Sequence, residues 1–155
     1  MQVHASCCAW SGLAVLLRGT PGSGKSDLAL RLVDAGFQLV ADDRVDLAVE
    51  HGSVTASAPP GLAGLIEVRG LGILEVGCHG AARLGLLADL APAATIERLP
   101  EPATEAVLGV ALPVIRIDPA AASAVARLRA AIAVLQGQAA SRCGALGDRA
   151  PAAAP

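Results

Sequence analysis

Blocks of apolar residues punctuated by glycine and proline set the elements this chain should form. Residues 13–17 are a short apolar run, the pattern of a buried strand. Residues 26–35 follow with helical spacing: Leu28, Leu32 and Val33 are apolar, Asp27, Arg31 and Asp34 polar, and Gly36 suits the position just past a helix end. Upstream, residues 1–10 can pair as a strand and Ser11-Gly12 as the turn into 13–17, which predicts an N-terminal hairpin. Residues 37–41 predict the strand after the helix, brought back by a strand–helix–strand crossover. Residues 46–50 and 54–58 predict a hairpin around His51-Gly52-Ser53, ended by Pro59-Pro60-Gly61. The segment 65–76 places Glu67 and Arg69 at strand spacing, hence on one face.

Further on, 82–90 reads as a strand and 96–102 as a polar loop stiffened by Pro100 and Pro102. Two strands, 107–112 and 114–117, are expected on either side of a bend at Pro113. Asp118 fits an N-cap and Pro119 a first helical residue, so 119–135 is predicted helical, with Val125, Leu128, Ile132 and Leu135 on one stripe and Arg127 and Arg129 off it. After Gly137 the chain is mostly Ala, Gly, Pro and Arg. The expectation is one α/β domain over 1–137 and a disordered tail over 138–155.

Composition narrows the function. The chain is 54% hydrophobic, enough for a core of Val, Leu, Ile and Ala, and Trp10 and Phe37 are its only aromatic residues. A net charge of -2 without a basic run argues against nucleic acid as a partner, and the scarcity of rings argues against base stacking. No apolar stretch reaches the roughly 18 residues of a membrane span, and the N-terminus lacks the form of a secretory signal. Cys7, Cys8, Cys78 and Cys143 show no C-x-x-C spacing, the usage of reduced thiols in a cytoplasmic protein.

The chemistry concentrates at Gly19-Thr20-Pro21-Gly22-Ser23-Gly24-Lys25-Ser26, which reads G-x-x-x-x-G-K-S. In such a P-loop the glycines let consecutive backbone N–H groups point at phosphate oxygens, Lys25 adds a positive charge over the β- and γ-phosphates, and Ser26 offers a hydroxyl to Mg²⁺. The predicted helix adds the positive end of its dipole. Lys25 is the only lysine; the other eleven of the 12 basic residues are arginines, so the one lysine retained stands where a guanidinium would fit badly.

The strand at 37–41 ends on Asp42-Asp43, where the carboxyl end of a strand opens onto a ligand crevice. One carboxylate can face Mg²⁺ and the γ-phosphate and its neighbour something else, or the chain turns and both do, or the pair is a solvated acidic turn. Glu67 and Arg69 suit metal and phosphate binding, or are an edge-strand ion pair. His4 on the first strand and Arg98 in the polar loop carry no role on spacing alone.

Val3-His4, the loop 19–26, Leu39-Val40-Ala41-Asp42-Asp43 and Ile66-Glu67-Val68-Arg69-Gly70-Leu71-Gly72-Ile73 together resemble, in order and spacing, the catalytic domain of HPr kinase/phosphorylase, in a short form similar to those of alphaproteobacteria. The resemblance implies a P-loop nucleotide-binding domain with a mixed sheet, related to phosphoenolpyruvate carboxykinase. It implies ATP and Mg²⁺ as cofactors, an HPr-type phosphocarrier protein as partner, and a homo-oligomer, hexameric in longer members. It matches Asp43 to the catalytic base, His4 to an active-site histidine, Lys25 to the loop lysine, and Ser26 and Glu67 to metal ligands, with Asp42 beside them. Arg98, in Glu97-Arg98-Leu99, is similar to an active-site arginine. Where the family has a basic loop tied to dephosphorylation, residues 112–119 offer only Arg116. The expected activity is serine phosphorylation of HPr with, or without, its reversal by phosphorolysis. A P-loop kinase of a small-molecule hydroxyl and a non-catalytic ATP sensor are the alternatives.

Overall fold

β3, residues Leu13–Arg18, is an interior strand of the sheet, and both of its faces are apolar. Leu13, Val15 and Leu17 join one core cluster, and Ala14 and Leu16 join another on the opposite face. The structure is a computed structural model that describes residues 1–152. Around β3 lie β1 (Gln2–His4), β2 (Ser6–Trp10), α1 (Lys25–Asp34), β4 (Gln38–Ala41), β5 (Arg44–Glu50), β6 (Ser53–Ser57), β7 (Leu65–Val68), β8 (Gly72–Glu75) and β9 (Ala82–Leu90). A 3-10 turn (Ala93–Thr95), β10 (Thr104–Val107), β11 (Val110–Ile117) and α2 (Ala124–Leu135) complete it.

The fold is α/β with a mixed, curled sheet. Its order is β1-β5-β6-β9-β3-β2-β4. β3 runs antiparallel to β2 and parallel to β9. On the other side of β9, β6 pairs with Arg83 and Ala82 and β11 with Leu87 through Leu90, so the sheet forks there. One face is covered by α1 and α2 through Leu28, Leu32, Leu128 and Ile132. The other closes on itself through Leu47, Val54, Val107 and Leu112 of the curled strands. Trp10 and Phe37 sit 5.1 Å apart, and Arg129 lies 4.5 Å over the Trp10 ring while donating to the Ala35 carbonyl, which ties α2 to the end of α1. Among the described residues no helix is long and apolar enough to cross a membrane.

The N-terminal hairpin, the strand–loop–helix unit and the 44–57 hairpin form where the pattern predicts them. Four features differ. The strand expected over 1–10 breaks at Ala5, whose N–H donates to the Asp43 carbonyl at 3.2 Å. The two strands expected on either side of a bend at Pro113 are divided instead by a turn at Leu108-Gly109, both left-handed, and Pro113 sits inside β11, where the strand exchanges β10 for β9 as its partner. α2 begins at Ala124, not 119, because Asp118 caps a turn: its carboxylate accepts from Ala120 N at 2.8 Å and Ala93 N at 2.9 Å. The stretch expected as a disordered tail runs back over the fold as far as it is described. Ser141 pairs with Arg149, Ala152 donates to Gly137, and Leu146 packs on the core; the rest of that expectation, residues 153–155, lies outside the described residues.

Candidate active site

The carboxyl ends of β3, β9 and β11 come together, since Arg18 and Arg116 both stand opposite Asp89 in the parallel registers. Arg18 anchors this end. Its Nε and Nη2 donate to Asp89 at 2.7 and 3.0 Å, and its Nη1 and Nη2 to Glu105 at 2.5 and 3.1 Å. The chain then leaves β3 into 19–24. Ser23 N donates to Thr20 O at 3.0 Å, and a Cβ on Gly19 would lie 2.4 Å from the Ser23 hydroxyl, so a side chain there would have to displace that hydroxyl. Gly24 caps α1 at φ 102, a left-handed conformation that costs an L-residue about 1–2 kcal/mol. Lys25 opens α1 and its ammonium donates to the carbonyls of Gly19 at 2.7 Å and Thr20 at 3.0 Å, arching over the coil.

The adjacent aspartates diverge. Asp43 holds φ 66, left-handed, and Arg44 N donates to Asp42 O at 2.8 Å across it. This tight turn between β4 and β5 sends Asp42 inward, where it is 9% exposed, and leaves Asp43 exposed. Asp42 accepts from the Ser6 hydroxyl at 2.6 Å and from the Ser26 hydroxyl at 2.9 and 3.1 Å. Alternation on β7 does the same for Glu67. Its neighbours Ile66 and Val68 are buried against α1, so Glu67 faces out, and Arg69 follows at the turn into β8.

These elements enclose a cleft of about 570 Å³ lined by Gly22, Gly24, Lys25, Ser26, Asp43 and Glu67, with Pro21, Ser6 and Arg69 among its other walls. Of the residues singled out from sequence it thus brings together most of the loop, Lys25, Asp43, Glu67 and Arg69. Six of them lie outside its lining: Gly19, Thr20, Ser23, Asp42, His4 and Arg98. Asp42 stands behind Ser26 and reaches the cleft only through that hydroxyl. His4 is exposed on β1, paired in register with Arg44 and one residue from the Ala5 N–H that holds Asp43. Arg98 lines a separate cavity with Arg116 and Arg127. Gly19, Thr20 and Ser23 shape the coil.

Ser6 was not singled out from sequence, yet its hydroxyl fixes Asp42 from the start of β2. The only signal is a hydroxyl in an otherwise apolar strand. The groups near Ser26 that could ligate a metal are oxygens: its own hydroxyl, the Asp42 carboxylate behind it and Glu67 on the same cleft. Such a hard-donor set suits Mg²⁺ over a thiolate- or imidazole-preferring metal. Because the Ser26 proton is given to Asp42, the lone pairs of that hydroxyl are left for a cation.

A family model described as the HPr serine kinase C-terminal domain matches residues 1–142. The HPr kinase/phosphorylase of Lacticaseibacillus casei is 50% identical over 66 residues, 42% of this chain and 21% of the relative. That of Acidovorax sp. is 40% identical over 119 residues, 68% of this chain and 37% of the relative. The chain therefore spans well under half the length of these curated relatives. The solved structure of the Hpr(Ser) kinase/phosphatase from Coxiella burnetii superposes with a TM-score of 0.73 at 28% identity, covering 85% of this chain and 92% of that one.

Proposed function

The chain belongs to the family of the HPr serine kinase C-terminal domain, and on that premise we propose that it transfers a phosphoryl group from ATP to a serine hydroxyl of an HPr-type phosphocarrier protein. One observation carries the reading: Lys25 and Asp43, from separate elements, line one cleft with Ser26 and Glu67. When bound, ATP with Mg²⁺ supplies the phosphoryl group and part of the charge that its oxygens require. The backbone amides at Gly22 to Ser26 and the Lys25 ammonium hold the phosphates, exchanging the carbonyls of Gly19 and Thr20 for phosphate oxygens. Ser26 and Glu67 hold the metal, and Asp42 orients the Ser26 hydroxyl.

Asp43 accepts the proton of the incoming serine at a carboxylate oxygen as that serine oxygen bonds to phosphorus. The bond from phosphorus to its bridging oxygen breaks in the same step, and the displaced phosphate chain keeps the electron pair. Arg69, on the same cleft, offsets charge on the group in transit. Catalysis is then positioning and electrostatics, as phosphoryl transfer requires. The proposed partner carries with it the further proposal of a cytoplasmic location.

Incubation with purified HPr, ATP and Mg²⁺, followed by intact mass, tests the proposal. HPr should gain one phosphoryl group on serine. No gain, with ATP spent on a metabolite instead, would replace HPr by another acceptor, and ATP bound but never spent would make the protein a sensor. Adding inorganic phosphate to the phosphorylated product separates a kinase from an enzyme that also runs in reverse.

A further inference from the structure

A second cavity, about 670 Å³, lies between α2, the segment after the 3-10 turn and the returning chain at 141–146. It shares no lining residue with the Lys25 cleft. Its volume is that of a small-molecule site. Arg98, Arg116 and Arg127 line it, and Glu97 is its only carboxylate. Among the described residues none of these three guanidiniums is in an ion pair; the recorded pairs use Arg18 and Arg31. Arg116 is held in place by its bonds to Thr95, Nη1 to the carbonyl at 2.6 Å and Nη2 to the hydroxyl at 3.1 Å.

Three unpaired positive charges around one hollow repel each other, in a chain whose net charge is -2. An anion resting among them removes that repulsion, and guanidinium forks match phosphate oxygens in geometry. Behind the arginines the wall is apolar: Ile115 and Leu146 pack on the core and border the cavity. We propose that this cavity is a second ligand site that takes a phosphate monoester carried on an apolar body, the phosphate among Arg98, Arg116 and Arg127 and the body against Ile115 and Leu146.

Cys143 supplies a local readout, because its exposed thiol lines this cavity, whereas the exposed Cys78 does not. The experiment follows the rate of iodoacetamide alkylation at each thiol by mass spectrometry, using phenyl phosphate as the probe and inorganic phosphate as its comparison. Phenyl phosphate should slow Cys143 several-fold and leave Cys78 unchanged, and inorganic phosphate should protect less. Lys25→Ala should keep the protection, while Arg98→Ala with Arg127→Ala should abolish it. Both arginines are exposed, and continued silence of the buried Cys7 and Cys8 reports that the double variant is folded. An unchanged Cys143 rate, protection that survives the double arginine change, or protection that disappears in Lys25→Ala would overturn the assignment. Equal protection by inorganic phosphate would overturn the apolar half of it.

Discussion

Ser26 donates its hydroxyl to Asp42, 2.9 Å from one carboxylate oxygen and 3.1 Å from the other, so the first turn of α1 is bonded to the end of β4. Ser6, fully buried on β2, donates to the same carboxylate at 2.6 Å. Three elements thus meet on one anion. Asp42→Ala leaves both hydroxyls without that acceptor, and a buried donor without a partner costs about 1–3 kcal/mol. The expected loss is about 2–3 kcal/mol, measured by denaturant unfolding followed at Trp10, the only tryptophan. Ser6→Ala removes one donor and keeps the acceptor occupied, so its cost should be smaller, near 1 kcal/mol. Equal stability of Asp42→Ala and wild type would mean the carboxylate is not a joint between these elements.

What could be read from the sequence is what local pattern decides. The glycine spacing of 19–24, the 3.6-residue period after it and the Asp42-Asp43 end of β4 are all short-range signals, and the cleft is built mainly from them. The rest depends on partners far along the chain. Asp118 looks like a helix cap, but one of its carboxylate oxygens is taken by Ala93 N, 25 residues away, and α2 starts later. Leu108 adopts φ 49 in the two-residue turn Leu108-Gly109, a left-handed position that a leucine does not advertise. Proline at 113 is tolerated because β11 changes partner there. Composition suggested disorder after Gly137, yet Leu146 finds a place on the core beside α2. Arg98 shows the limit of motif matching: two matching letters of three do not state which cavity a side chain enters.

Cys7 and Cys8 differ from Cys78 and Cys143 in chemistry as well as exposure. Burial pushes the Cys7 thiol up, with its neighbour Cys8 adding to the effect, and pushes Cys8 up to about 12, with the Asp42 charge as the lesser cause. At pH 8 roughly one Cys8 in ten thousand is then a thiolate, the reactive form. Of the 4 cysteines, Cys78 and Cys143 should alkylate in the folded protein, and Cys7 and Cys8 only after unfolding. Counting adducts by intact mass with and without denaturant checks this. Prompt modification of Cys7 or Cys8 in native buffer would contradict the packing of β2.

Glu105 gives the fold a weak acid sensitivity. The hydrogen bond from Arg18 holds its carboxyl below the usual glutamate range, with the nearby positive charge adding to it and partial desolvation opposing. A carboxylate depressed in the folded state contributes stability that is full above the ordinary range and is lost as pH falls through the folded value. Wild type should therefore exceed Glu105→Gln in stability at neutral pH, and the two should converge in acid. Glu105 is exposed, so added salt should narrow the difference. Melting curves across pH for both proteins test the sign; a gap that widened in acid would reverse it.

Asp43 offers the sharpest test of the proposed chemistry, because its backbone and its side chain can be separated. It sits at φ 66, a conformation that aspartate and asparagine adopt more readily than other residues with a Cβ. Asp43→Asn keeps the turn and the shape but cannot take a proton. Its melting temperature and its affinity for ATP should stay near wild type, since Lys25 and the loop amides are untouched. Transfer to HPr should fall by about 10²–10⁴, the range a lost general base commonly costs. Asp43→Ala removes the carboxylate and also strains the turn by about 1–2 kcal/mol, so it should lose stability as well as transfer. Calorimetric ATP binding, thermal unfolding and intact mass of HPr distinguish the three proteins. Wild-type transfer by Asp43→Asn would take the base role from this carboxylate, whereas a loss of ATP binding in Asp43→Asn would make it a nucleotide-binding residue.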